Sequence, residues 1–184
     1  MRKNFGTKTF LYPMPVLIVA TYDENGIPNA MNAAWGGICD FDKIMIDMSS
    51  HKTTENIAKT KAFTVSPGDA AFVKECDYVG ITSASAVLDK FAKSGFTATK
   101  SEFVNAPVIN ELPMALECEL CDILDYGMYI GKIVNVSADE SCLGADGLPD
   151  LSKFCPITFD PVHHKYVSLG KSVADAFKCG KEIG

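Results

Sequence analysis

Ser49-Ser50-His51-Lys52-Thr53-Thr54 places four hydroxyls, an imidazole and an ammonium side by side. The segment follows a strand-like run and leads into Glu55–Thr60, which reads as a short helix with a threonine near its N-cap. Free N–H groups at a helix N-terminus, joined by hydroxyl and ammonium donors, suit a phosphate. The plainer reading is an ordinary N-cap beside a solvated lysine. Asp89-Lys90-Phe91 is a weaker second clue, a lysine next to an aromatic that reaches a phosphate across a dimer interface. Taken alone, it reads as a surface lysine.

Asn29-Ala30-Met31-Asn32-Ala33-Ala34-Trp35-Gly36-Gly37 holds the only tryptophan within a run of small residues. Alanine and glycine remove the side chains that would block a flat ligand from the backbone. The alternative is a strand edge packed on a neighbour, with Trp35 as ordinary core.

Other chemistry finds less support. Cys118-x-x-Cys121 tempts a redox or zinc reading, but the segment reads as a strand, where residues three apart point to opposite faces. No second pair lies where zinc would need one. His163-His164 reads as surface loop. G-x-S-x-G, Walker A and G-x-G-x-x-G patterns are absent from the sequence.

The elements that must position these residues are mostly strands. Val16–Tyr22 is a near-continuous β-prone run, Asp23-Glu24-Asn25-Gly26 supplies a turn, and Ile27–Trp35 reads as the return strand. Lys43–Met48 and Ala62–Ser66 are further strands, with short helices expected at 69–78 and 86–93. After a loop from Gly95 to Pro107, strands are expected at 114–122, 128–136, 156–160 and 165–169, then a closing helix at 172–178. Hairpin-length connections around few helices predict a mainly β protein, a mostly antiparallel barrel with peripheral helices.

A chain of 184 residues is most simply one domain, here 1–184. A net charge of −6 argues against nucleic acid, and no apolar run is long enough to span a membrane. The N-terminus lacks the pattern of a secretory signal. Seven irregularly spaced cysteines fit reduced thiols in a cytoplasm.

Together the motifs resemble the flavin reductase-like family, FMN-binding split barrels that include flavoredoxin. The likeness runs in order through Pro13-x-Pro15, the Asp23–Pro28 turn, Asn29–Trp35 and Ser49-x-His51-x-Thr53-x-x-Asn56-Ile57. It continues through Asp77-Tyr78-Val79-Gly80, Asp89-Lys90-Phe91, Ala106–Ile109, Leu116–Cys118, Ile130–Val134 and Tyr166–Gly170. The resemblance implies a split β-barrel, Greek-key-like, that forms a homodimer with FMN near the subunit interface. It implies cofactor contacts from Asn32, Ala33, Ala34, Trp35 and Gly36, and phosphate contacts from the loop holding Ser49, His51, Lys52 and Thr53. Relatives often carry an arginine in the phosphate loop where this chain has His51-Lys52, leaving Lys52 or Lys90 to grip the phosphate. Ser66 stands where relatives often have asparagine.

The implied activity is an FMN-dependent reductase or electron carrier taking electrons from a nicotinamide nucleotide or a reduced protein. The cofactor carries the chemistry, backbone N–H donors stabilise the reduced ring, and no catalytic side chain is required. The alternative is a non-enzymatic flavin-binding, storage or sensing protein. A pyridoxamine-phosphate-oxidase-like enzyme is disfavoured, since Arg2 is the only arginine.

Overall fold

The computed structural model describes residues 1–183. Its first half holds β1 (Met14–Pro15), β2 (Leu17–Tyr22), β3 (Pro28–Ala33), β4 (Gly36–Asp40), β5 (Lys43–Asp47), helix α1 (Lys52–Thr60) and β6 (Ala62–Pro67). Helices α2 (Val73–Ile81) and α3 (Lys90–Ser94) and the short strands β7 (Ala98–Lys100) and β8 (Pro107–Ile109) follow. The second half contains β9 (Met114–Leu124), β10 (Met128–Ala138), β11 (Ile157–Asp160) and β12 (Lys165–Ser168).

Seven strands form one antiparallel sheet in the order β3-β2-β6-β9-β10-β5-β4, while β1, β11 and β12 form a smaller sheet. Strands far apart in that order share one core. Met31 of β3, Phe63 of β6, Cys118 of β9 and Ile46 of β5 join a single buried cluster, closed by Ile57 of α1. A flat sheet could not bring β3 to β5, so the sheet curls into a half-barrel around these side chains. Gly131 on β10 makes room for the central ring: a Cβ there would run into Phe63 Cζ.

The opposite face of β2 and β3 is also covered. Ile18, Ala20 and Ala30 pack against Cys76 and Val79 of α2 and Phe91 of α3. Burial on both faces explains why Leu17–Ala20 is apolar without alternation. The turn before β3 forms as its residues predict: Asp23 accepts backbone bonds from Asn25 and Ile27, each 2.8 Å, and Gly26 takes a φ of +77°.

The antiparallel half-barrel agrees with the expected fold class, and four local expectations are revised. The return strand ends at Ala33, and a separate strand, β4, begins at Gly36 because its backbone pairs with β5. Two short strands interrupt the loop expected over 95–107. The helices expected at 69–78 and 86–93 begin later, at Val73 and Lys90. Asp69 instead caps a 3₁₀ turn over Ala70–Phe72. The closing helix at 172–178 does not form; a 3₁₀ turn appears at Cys179–Glu182. Residues 172–178 are exposed, and so short a segment gains too little from helix formation without packing.

Candidate functional site

The N-terminus of α1 meets the free edge of β3. His51 occupies the N-cap in extended conformation, and its N–H donates to Thr54 Oγ1 at 2.9 Å. Thr54 returns the bond to the His51 carbonyl at 2.8 Å, which locks the first turn. The amides of Lys52 and Thr53 lie in that turn, where no intrahelical carbonyl can accept from them. Thr53 is buried, and its Oγ1 accepts from Asn29 Nδ2 at 2.8 Å. β3 lies at the edge of the seven-stranded sheet, so alternate backbone groups face away from β2.

A cavity of about 60 Å³ lies at this junction. Asn29, Asn32, Lys52 and Thr53 form one side, and Gly80 of α2, Thr82–Ala84 and Lys90 of α3 form the other. Lys90 is its defining residue. The residue is only 4% exposed, and its Nζ joins none of the ion pairs and side-chain hydrogen bonds among the described residues. Asp89, the adjacent carboxylate, pairs with Lys93 at 3.0 Å instead. Burial alone pushes the Lys90 ammonium down to about 8. Among the described residues no carboxylate lines the cavity. Lys52 also lines it, but that side chain is more exposed and lies 3.7 Å from Glu55.

A second cavity, about 210 Å³, shares Asn32 and Gly80 with the first. Val16, Ala34, Ile81, Phe159 and Tyr166 make most of it apolar. A Cβ at Gly80 would sit 3.0 Å from Asn32 Cβ, so glycine lets α2 lie this close to β3. Asn32 Nδ2 donates to the Cys76 carbonyl at 3.2 Å, and Tyr166 Oη donates to Asp77 at 2.8 Å. Burial and the Asp77 carboxylate raise the phenol above its ordinary range. A small cationic chamber beside a larger apolar one, the two sharing Asn32 and Gly80, suits a ligand with a phosphate at one end and a planar body at the other.

The cavities gather some of the residues singled out by sequence and leave others aside. Asn32, His51, Lys52, Thr53 and Lys90 line the polar chamber, and Ala34 lines the apolar one. Ser49 lies beyond His51, with Oγ 3.0 Å from His51 Nε2, and lines a separate depression beside Tyr126 and Tyr129. Ala33 packs into the barrel core. Ser66 is buried on β6 opposite Ile18, its Oγ without a partner among the described residues, and it lines neither chamber. Trp35 is 52% exposed in the link between β3 and β4, which excludes ordinary core. At Gly36 a Cβ would lie 2.8 Å from the Met45 carbonyl and 2.9 Å from Leu17 Cδ1. The crossing with β5 therefore requires glycine here.

The sequence reading missed Asn29, Thr82, Ser83 and Tyr166 as lining residues. Asn29 carried one signal: an asparagine inside a strand, where that residue is disfavoured. Cys118 and Cys121 lie on opposite sides, one buried and one exposed, and burial pushes the Cys118 thiol up to about 12. His163 Nδ1 lies 2.7 Å from Asp160 Oδ2.

Known proteins share this architecture. The family model described as a flavin reductase like domain matches residues 9–157. Flavoredoxin of Desulfovibrio vulgaris (Miyazaki F) superposes with a TM-score of 0.94 at 41% identity, over 98% of this chain and 100% of that one. Flavoredoxin from Methanosarcina acetivorans gives 0.89 at 26% identity over the full length of both. An FMN-binding domain of a flavin reductase-like enzyme from Shewanella baltica gives 0.79 at 20% identity over 88% of each chain, a likeness of fold. With a split-barrel architecture and a family match spanning most of its length, the chain belongs to the flavin reductase-like domain family.

Proposed function

We propose that the protein binds FMN and acts as a flavin reductase-like oxidoreductase or a flavoredoxin-type electron carrier. Electrons would come from NAD(P)H or from a reduced protein and leave to an acceptor. The observation that carries this reading is Lys90, a buried lysine whose ammonium has no partner among the described residues and which lines a cavity at a helix N-terminus. An uncompensated buried charge is costly, and a phosphate dianion is the counter-charge this chamber fits. When bound, FMN would supply the two-electron transfer itself.

The chain's own residues would bind and orient. Lys90 and the α1 amides would hold the phosphate, with Lys52 steering at the mouth. Asn32 stands where the two chambers meet, its amide held by the Cys76 carbonyl. Val16, Ile81 and Phe159 would keep water from one side of the planar ring.

The active form proposed is a homodimer. Trp35, Ile38 and Phe41 are exposed on and beside the edge strand β4, and Val134 and Val136 are exposed on β10. A second copy is the partner that an apolar patch repeated on every chain would find. No described helix is long and apolar enough to cross a membrane. The seven cysteines are all free, in keeping with a reducing, cytoplasmic setting.

Anaerobic reduction of the FMN-loaded protein tests the redox reading. Bleaching of the visible flavin absorbance by NADH, NADPH or a strong chemical reductant is expected. A bound flavin that all three fail to bleach contradicts the proposal.

A further inference from the structure

The polar chamber contains a second atom that a phosphate does not satisfy. Asn29 is 7% exposed, and its Oδ1 has no hydrogen-bond partner among the described residues. Its Nδ2 is committed to Thr53 Oγ1 at 2.8 Å, which turns the amide so that the oxygen is the free end. Both Asn29 and Lys90 line the same chamber of about 60 Å³. One wall thus offers the ammonium of a buried lysine without a protein acceptor, and another a fully buried acceptor without a donor.

Buried polar atoms are almost always paired, and an unpaired pair of opposite kinds within one small chamber describes the missing ligand. A phosphate dianion carries only acceptors, so it answers Lys90 and the α1 amides but repels Asn29 Oδ1. The ligand must bring a donor within a few ångströms of its phosphate. We infer that Asn29 is a specificity-determining residue whose carboxamide oxygen accepts a hydrogen bond from a hydroxyl on the chain bearing the phosphate. The site then reads a hydroxylated chain phosphate, and discriminates against an alkyl phosphate of equal charge. This inference rests on the flavin-phosphate reading above, in which the ribityl chain supplies the hydroxyl. Thr53 acts as a positioning residue, because its hydroxyl holds the amide in this orientation.

Two ligands test it: FMN, and a flavin whose phosphate hangs on a five-carbon chain without hydroxyls. Dissociation constants for both are measured by flavin fluorescence on ligand-free wild type and Asn29→Leu, with unfolding midpoints as a fold control. Wild type is expected to prefer FMN by roughly tenfold, the scale of one satisfied buried hydrogen bond. In Asn29→Leu that preference should vanish through weaker FMN binding, while affinity for the alkyl phosphate stays within about twofold. Equal losses for both ligands would mean that the amide serves the phosphate or the fold, and would overturn the inference. The wild-type comparison stands even if the variant does not fold: no preference for FMN overturns the inference. Failure of wild type to bind either ligand would reject the flavin reading itself.

Discussion

Lys90→Met removes the ammonium from the polar chamber while keeping an unbranched apolar stem. In the ligand-free protein the Lys90 ammonium is pushed from 10.5 to about 8 by burial. Below pH 8 the folded protein therefore carries a charge that the unfolded chain would hold at less expense. At about 1.4 kcal/mol per pH unit the full shift would cost about 3 kcal/mol, and solvent reaching the ammonium discounts this to about 1–3 kcal/mol at pH 7. The sign follows from proton counting. Between pH 8 and 10.5 the unfolded chain binds the extra proton, so wild-type stability rises with pH across that window and the penalty fades. Lys90→Met lacks this dependence. Thermal unfolding of the ligand-free proteins at pH 7 should show the variant more stable. At 2–4 °C per kcal/mol the gain is roughly 2–12 °C, narrowing by pH 10. Saturating FMN should reduce or reverse the gap, because tight binding to the native state stabilises wild type preferentially. A variant less stable than wild type at pH 7, or a gap unchanged at pH 10, would refute an uncompensated charge at this position.

Other perturbations test the scaffold and the proposed interface. Gly131→Ala drives a methyl into the Phe63 ring and should cost about 1–3 kcal/mol, read from urea unfolding. Trp35→Ala should leave monomer stability within about 0.5 kcal/mol, since the side chain is half exposed, while shifting sedimentation toward monomer or lowering flavin retention. A loss of stability alone would return Trp35 to a packing role.

How much was legible in the sequence depended on whether a signal was local. The Asp23–Gly26 turn fixed the β2–β3 hairpin because Asp23 and Gly26 carry the turn in their own side chain and φ. Strand β4 was hidden, because Gly36-Gly37 reads as a break and only Ile38 offers an apolar signal. Its pairing with β5 is a tertiary event. The 172–178 segment had helical spacing but nothing to pack upon. At the site, Ser49–Thr54 was legible as a strand-to-helix junction because that junction has a local pattern. The role of Lys90 was not decided, since its burial arises from α2 and α3 folding against β3. At Gly36 the sequence could not show that Leu17 and the β5 backbone require glycine, since that crowding is a tertiary contact.

The central claim is that the chamber between Lys90 and the α1 N-terminus holds a flavin's phosphate. Calorimetric titration of ligand-free wild type and Lys90→Met with FMN and with riboflavin measures it directly. FMN should bind wild type at least about tenfold tighter than riboflavin, the scale of a charge-assisted phosphate contact, with the difference collapsing in Lys90→Met. Equal affinities in wild type, or a preference that survives the substitution, would contradict the account.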